Sequence, residues 1–185
     1  MQKLKFLKPA LPLTIICVVI AFLLAFINAV TEDRIAQNAL KEKEEAILKI
    51  FPDADSFVIF DKSYYTDCVN EAGAVKNKDG NVIGHYADVS PIGFKGEIAL
   101  IVGLDLEGKV LRAFCLSTAE TPAVGTRATE DTYLEKYASL TSAEAEKVDT
   151  ITGATISSKA VRHGIYDAAL TIEKVIEGGQ SHVED

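Results

Sequence analysis

The sequence predicts one N-terminal transmembrane helix followed by a single α+β domain with a central, mostly antiparallel sheet. Three observations lead to this prediction. An uncharged apolar run lies near the N-terminus, two strand-like segments joined by a short turn lie in the middle of the 185-residue chain, and an amphipathic helical pattern lies near its end. The length fits one domain of ordinary size.

The first element is the apolar run 11–30, which has no charged residue. A helix of this length spans roughly 30 Å, the thickness of a bilayer core. Pro12 falls in the first turn, where a missing N–H costs little. The run is longer than the apolar core of a signal peptide, about 7–15 residues, so we expect an uncleaved anchor. Cleavage near Ala25 or Ala29 is the alternative.

The basic residues before this run predict its orientation. Lys3, Lys5 and Lys8 are the only charged side chains before Glu32. Positive flanks favour the cytoplasmic side, so we expect residues 1–10 in the cytoplasm and a single-pass protein of the cell (inner) membrane. The predicted order is then a transmembrane helix, a connecting helix, an extracytoplasmic domain and a tail, over residues 11–30, 31–55, 56–177 and 178–185.

Composition excludes several functions. The net charge of −8 and the pI near 4.9 argue against nucleic-acid binding, because an acidic surface repels a polyanion. Three cysteines are too few for a disulfide scaffold, and whether Cys68 and Cys115 pair stays open. The three histidines are scattered along the chain, so we expect no metal or iron–sulfur site and no catalytic acid–base set.

Turn and periodicity signals place the remaining elements. Pro52 ends the connecting helix, because the residue before a proline avoids the helical region. Gly80 and Gly108 mark the turns of two hairpins. In chain order we predict a helix over 32–50, a strand over 57–60, and hairpin arms at 74–75 with 82–83 and at 97–104 with 109–116. Short helices or turns are predicted over 129–137 and 142–147.

The last helix is predicted over 155–177 and ends at Gly178-Gly179. Its apolar residues recur at spacings of three and four, which gives one buried face. That face is predicted to contain Ile156, Ala160, Val161, Ile165, Ala168, Ala169, Ile172, Val175 and Ile176.

The start of this helix combines features of a phosphate site. Gly153 allows a tight bend and Ala154 is small, so a ligand could approach the backbone closely. Hydroxyls follow at Thr155, Ser157 and Ser158, where a helix N-terminus presents free N–H groups, and Lys159 adds a cation. The plain alternative is that Thr155 caps the helix.

Two further segments combine glycine with polar or aromatic residues. Glu120-Thr121-Pro122 forms a polar turn after a predicted strand, and Gly125 relaxes the backbone again. Gly93-Phe94-Lys95-Gly96 places an aromatic residue between two glycines just before a strand.

Together the three segments resemble a known family. The D-x-x-T-G-A-T pattern of 149–155, the E-T-P-x-x-G of 120–125 and the G-F-x-G of 93–96 are similar to motifs of an FMN-binding domain. That domain occurs in the G subunit of Rnf-type electron-transport complexes and in the C subunit of sodium-pumping NADH:quinone reductases. The resemblance covers about 87–176, and the family's usual Gly-Leu-Gly is Ala123-Val124-Gly125 here.

The resemblance implies covalent FMN, joined by a phosphoester to Thr155. It implies that a flavin transferase reads Asp149, Thr152, Gly153 and Ala154. It implies that Glu120, Thr121 and the backbone near Val124 line the isoalloxazine ring, and that Ser157, Ser158 and Lys159 lie near the phosphate. The other residues expected to bind the cofactor are Pro122, Gly125, Gly93, Phe94 and Gly96.

The function implied by the resemblance is that of a membrane-anchored electron carrier in an Rnf-type ferredoxin:NAD⁺ oxidoreductase, coupled to Na⁺ or H⁺ translocation. Its partners would be the other membrane and redox subunits. The C subunit of the quinone reductase is an alternative, although that subunit tends to be longer. A stand-alone anchored flavoprotein and a flavin-free binding module also remain open.

Overall fold

The computed structural model of the chain describes residues 7–178. Most of the predicted N-terminal segment 1–10 and nearly all of the tail 178–185 lie outside these residues. The chain divides into two compact units, Met1–Glu42 and a second unit that begins at Lys43. The α-helices of the described part are α1 (Leu7–Ile50), α2 (Asp131–Leu134), α3 (Ser142–Ala145) and α4 (Thr155–Glu177), and its strands are β1 (Ala54–Ile59), β2 (Val69–Asn77), β3 (Val82–Val89), β4 (Ile98–Leu104) and β5 (Val110–Thr118).

Helix α1 is continuous over 44 residues, so the predicted helices 11–30 and 32–50 form one element. The predicted connecting helix 31–55 ends earlier, at Ile50. Pro52 disfavours helical geometry at Phe51, and β1 already begins at Ala54.

The apolar part of α1 belongs to the first unit. One 18-residue window has a mean hydropathy of 2.8, and none of it is buried within the protein. By length and composition α1 therefore qualifies as a membrane span, a test that a signal sequence near an N-terminus also passes.

The second unit is built on a five-stranded antiparallel sheet in the order β1-β2-β3-β4-β5. This arrangement confirms the α+β fold class. Gly80 and Gly108 have φ angles of 81° and 84°, which turn the chain between β2 and β3 and between β4 and β5. Strands β2 and β3 extend well beyond the predicted arms, because small buried residues such as Ala72, Ala74 and Ala87 hide the apolar alternation.

Helix α4 covers one face of the sheet. Val161, Ile165, Ala168 and Ile172 are fully buried, at the helical spacing that defines one stripe. They share a core with residues of β2 to β5, including Leu100. This packing fixes the rotation of α4 about its axis.

The end of α1 within the second unit covers the opposite face. Ile47 and Phe51 are buried against Val75, Tyr86 and Ile101 in a separate apolar cluster. The sheet is thus covered on both sides, as a stable layered domain requires.

A polar cluster at Lys43 borders this second layer. The Lys43 ammonium lies 2.8 Å from Glu71 and 3.1 Å from Asp88, and 5.7 Å from the centroid of the Tyr86 ring. The Tyr86 hydroxyl donates to Glu71 at 2.7 Å. Burial alone would raise the pKa of Glu71, but the hydrogen bonds from Lys43 and Tyr86 hold it below its usual value.

We predict that Lys43→Ala destabilises the domain by about 2 kcal/mol, because it leaves two partly buried carboxylates without their cation. Urea unfolding of the detergent-solubilised full chain measures this. The exposed Lys41→Ala serves as the matched control and should stay within about 0.5 kcal/mol of wild type. Equal losses in both variants would contradict the structural role of Lys43.

His85 on β3 is a buried histidine without a full set of hydrogen bonds. It is 1% exposed, packs against the Phe60 ring, and its Nδ1 has no hydrogen-bond partner among the described residues. Burial lowers the pKa of His85 below the usual 6.5, and the negative charge of Asp105 offsets this only in part. The imidazole is therefore neutral in the folded protein near neutral pH.

We predict that the domain loses stability as the pH falls below about 6.5. The unfolded chain then protonates His85 before the folded chain does, and the linkage favours unfolding. His85→Leu should weaken this dependence between about pH 6.5 and 5. Melting temperatures at a series of pH values test it, and an unchanged slope in the variant would refute it.

Candidate functional site

The three sequence motifs meet at the carboxylate of Glu120, just after β5. Glu120 is only 5% exposed. Its Oε1 accepts a hydrogen bond from the Lys95 backbone N–H at 3.0 Å, and its Oε2 accepts one from the Ser157 hydroxyl at 2.8 Å. One side chain thus joins the loop before β4, the turn after β5 and the start of α4.

Two glycines make room for this carboxylate. A Cβ atom at Gly93 would overlap Oε1 of Glu120, and one at Gly125 would overlap Oε2. Gly93 also closes its own loop by donating its N–H to the carbonyl of Gly96 at 2.8 Å. The glycines of two motifs are therefore explained by the side chain of the third.

The Glu120 carboxyl is ionised at neutral pH. Burial alone would raise its pKa, but the backbone of Lys95, the Ser157 hydroxyl and the backbone of Phe94 hold that pKa below its usual value. A buried carboxylate with several hydrogen-bond donors holds the donor segments firmly in place, because the loss of any donor would leave a buried charge uncompensated.

The turn after Glu120 is closed by its own backbone. The carbonyl of Thr121 accepts from the amides of Val124, Gly125 and Thr126 at 3.2, 3.0 and 3.3 Å. The Thr126 hydroxyl accepts from the N–H of Ala123 at 3.0 Å, and Ala123 has a φ of 61°. Alanine here occupies the left-handed region, which glycine adopts with less strain.

Ser158 holds the turn before α4. Its hydroxyl accepts from the Ile151 N–H at 3.1 Å and donates to the carbonyl of Ala154 at 2.7 Å. Gly153 has a φ of 86° with open space beside it, so its backbone angle rather than crowding requires glycine. The Tyr133 hydroxyl donates to the carbonyl of Asp149 at 3.1 Å and fixes the other end of the turn.

Thr155 is the first residue of α4 and is exposed. The N-cap is Ala154, so Thr155 does not cap the helix. No hydrogen bond joins its hydroxyl to another residue in 7–178. The first helical bond is donated by the Ser158 N–H, which leaves the amides of Thr155, Ile156 and Ser157 without helical partners.

These segments enclose an open pocket of about 300 Å³. Three apolar side chains form its exposed rim, namely Phe94 (66% exposed), Val124 (46%) and Ile156 (54%). The other lining residues are Glu120, Thr121, Gly125, Gly153, Ala154, Thr155 and Ser157.

The pocket contains part of the site predicted from sequence. Nine of its ten lining residues belong to the predicted set, and Ile156 does not. The prediction of Ile156 on the buried face of α4 is wrong, because it points away from the stripe that faces the sheet and is exposed. The sequence does contain a signal that Ile156 belongs to the pocket, because this residue lies inside the T-G-A-T-I-S segment at the start of α4.

The remaining seven predicted residues lie outside the lining. The hydroxyl of Ser158, which is one of them, and the hydroxyl of Ser157, which lines the pocket, both bond within the protein. Backbone amides are therefore the groups left free to bind an anion. The residues that do not line the pocket are Gly93, Gly96, Pro122, Asp149, Thr152, Ser158 and Lys159.

The N-terminal region and the region that contains the pocket each match a known protein family. Residues 93–170 match the model of the FMN-binding domain, and residues 1–50 match that of the RnfG N-terminal region. The chain carries an FMN-binding domain. This confirms the resemblance drawn from the three motifs, and the matched range contains the whole pocket lining.

Relatives of the chain are components of one kind of complex. The G subunit of the proton-translocating ferredoxin:NAD(+) oxidoreductase complex of Clostridium ljungdahlii is 28% identical, over 84% of this chain and 85% of the relative. The G subunit of the ion-translocating oxidoreductase complex of Methanosarcina acetivorans is 27% identical, over 87% and 91%. The G subunit of the Na(+)-translocating ferredoxin:NAD(+) oxidoreductase complex of Acetobacterium woodii is 26% identical, over 85% and 87%.

We predict that Ala123→Gly stabilises the FMN-binding domain by about 0.5 kcal/mol, since relief of the left-handed strain outweighs the added freedom of the unfolded chain. The exposed Ala138, with a φ of −58°, is the matched control, and Ala138→Gly should destabilise by about 0.5 kcal/mol. Urea midpoints of the two variants test this, and equal shifts would refute it.

Proposed function

We propose that this chain is the FMN-carrying G subunit of an Rnf-type ion-translocating electron-transport complex, with FMN attached to Thr155 through a phosphoester. The observation that carries the proposal is the position of the Thr155 hydroxyl. It opens onto the pocket of the FMN-binding domain, makes no internal hydrogen bond within 7–178, and lies beside three free helix amides.

The rim of the pocket fits a flat aromatic ring. Phe94, Val124 and Ile156 present exposed apolar surface around the opening, whereas Glu120 lines the same pocket and is buried. The volume of about 300 Å³ is at the small end of ligand pockets. A ring would therefore be covered on one side and remain accessible on the other, as transfer of electrons between subunits requires.

The start of α4 fits a phosphate. The amides of Thr155, Ile156 and Ser157 have no helical partners, and the 23-residue helix places a partial positive charge at this end. A phosphate on the Thr155 oxygen would lie where these groups stabilise its negative charge.

The chain's own residues then have separate tasks. Thr155 holds the cofactor, the apolar rim positions the ring, and Glu120 fixes the three segments relative to each other. The bound flavin supplies the redox chemistry. A covalent bond prevents loss of the cofactor from so open a pocket.

A flavin transferase would form the bond. The Thr155 hydroxyl oxygen would join the phosphorus of a flavin nucleotide, the hydroxyl proton would leave, and the donor's leaving group would be released. Asp149 and Thr152 are exposed outside the pocket lining, where a second protein could read them.

The N-terminal part of the chain supports the placement in a membrane complex. Residues 1–50 match the RnfG N-terminal region, and α1 carries an apolar stretch long enough to cross a bilayer. Lys3, Lys5 and Lys8 precede that stretch and favour a cytoplasmic N-terminus, so the domain would lie outside the cytoplasm beside the other membrane and redox subunits. The relatives are named as G subunits of ion-translocating or proton-translocating oxidoreductase complexes, and two of these complexes are named as ferredoxin:NAD(+) oxidoreductases.

We predict that Thr155→Ala abolishes covalent flavin when the full chain is co-expressed with a flavin transferase. Stability should change by less than about 0.5 kcal/mol, because Thr155 is exposed and is not the N-cap. Intact mass with peptide mapping measures the attachment, and wild type should carry FMN less one water on the peptide containing Thr155.

Two control variants sharpen this test. Thr155→Ser keeps a hydroxyl at the site and should retain some flavin. Thr150→Ala removes a hydroxyl from a variable position of the same motif and should retain all of it. Covalent flavin in Thr155→Ala, or a bare Thr155 in wild type made with an active transferase, would overturn the attachment.

A further inference from the structure

A second cluster of reactive side chains lies away from the flavin pocket. Cys68 stands just before β2, and His163 and Asp167 lie on α4. One potential ligand atom from each, a sulfur, a ring nitrogen and a carboxylate oxygen, all lie within 4.8 Å of one another. None of the three lines the pocket at Thr155.

The two helical residues are spaced to share a metal ion. His163 and Asp167 are four residues apart, so they project from the same face of α4 one turn apart. The His163 Nε2 is 3.8 Å from the Asp167 Oδ2. The side chain of Asp167 is 5% exposed and that of His163 is 58% exposed, so one ligand is buried and one faces solvent.

Hydrogen bonds hold the segment containing Cys68 against α4. The Cys68 N–H donates to Asp167 Oδ2 at 3.2 Å. The Thr66 hydroxyl donates to the carbonyl of Asp167 at 3.2 Å and lies 3.1 Å from the Thr171 hydroxyl. The fold therefore brings the three side chains close together, and only the exposed His163 would have to move to bind an ion.

The donor set suits a particular class of ion. A thiolate, an imidazole and a carboxylate are all ligands of Zn²⁺, whereas Ca²⁺ and Mg²⁺ prefer oxygen alone. Zinc bonds of about 2.0–2.3 Å place neighbouring tetrahedral ligands roughly 3.5 Å apart. Side-chain rotation of the exposed His163 can close the remaining distance.

We propose that Cys68, His163 and Asp167 bind one divalent transition-metal ion of the zinc class, with the fourth position left to water. Three protein ligands with one open position is a coordination that zinc adopts in proteins. The exposed His163 gives the ion a route from solvent to the buried carboxylate.

Negative charge at the site favours a divalent cation. The Asp167 side chain is 5% exposed and lies beside both Cys68 and His163, so a cation bound by the three side chains would compensate a buried carboxylate. Binding forms a sulfur–metal bond and releases one proton to solvent for each ion bound.

The test titrates Co²⁺, a spectroscopic substitute for Zn²⁺, into the full chain in detergent, prepared without a histidine tag and freed of metal by a chelator. We expect one ion per chain and a thiolate-to-cobalt charge-transfer band in the near ultraviolet, which added Zn²⁺ removes. Absence of stoichiometric binding would overturn the proposal.

Matched variants assign the ligands. Cys68→Ser should lose the charge-transfer band, and Cys115→Ser should keep it, since Cys115 is the other free thiol of the domain. His163→Asn, at an exposed position that can be changed without loss of the fold, should weaken Co²⁺ binding at least tenfold. Normal binding in His163→Asn, or a band that follows Cys115, would refute the assignment.

A second measurement tests whether His182, the last histidine of the chain, binds the ion instead. Zn²⁺ should protect Cys68 from alkylation, as measured by peptide mass, in wild type and equally in His182→Asn. Protection that disappears in His182→Asn would place the ion elsewhere and overturn the proposed site. None of these measurements depends on flavin, so the outcome is independent of the function proposed above.

Discussion

The pocket of the FMN-binding domain depends on one buried carboxylate. Glu120 binds the loop of Lys95 through one oxygen and the start of α4, at Ser157, through the other. Gly93 and Gly125 have no side chain because a Cβ at either position would occupy the same space as this carboxylate. The three motifs are thus a single structural unit. The glycines and the serine satisfy and accommodate a charge whose burial would otherwise be costly.

Helix α4 connects this unit to the core. Its buried stripe packs on the sheet, and that packing sets which residues face elsewhere. The same rotation turns Thr155 and Ile156 toward the pocket and brings His163 and Asp167 to the segment containing Cys68. At 1.5 Å per residue, Thr155 and His163 are about 12 Å apart along the helix axis. One rigid element thus positions the side chains of both proposed sites.

The sequence predicts those parts of the fold that depend on local patterns. The hairpin turns at Gly80 and Gly108, the length of α4 and the three motifs all follow from residues close together in the chain. The role of Glu120 does not, because its partners Lys95 and Ser157 are 25 and 37 residues away. The cluster of Cys68 with His163 and Asp167 does not follow from local patterns for the same reason, since both helical residues lie far along the chain from Cys68. Ile156 was misplaced because a spacing pattern cannot show where the stripe begins.

The hydrogen bonds already made within the site limit how it could hold a cofactor. Glu120, Ser157 and Ser158 are hydrogen-bonded within the protein, so few polar side chains are left to bind a ligand. The apolar rim is roughly half exposed or more, whereas a tightly held small molecule usually has most of its surface covered. Non-covalent affinity from such a pocket would be modest, and dilution outside the cytoplasm, where the proposed function places the domain, would empty it. Under the proposed function the phosphoester at Thr155 removes this conflict, because retention then no longer depends on enclosure and the ring can stay open to its redox partners.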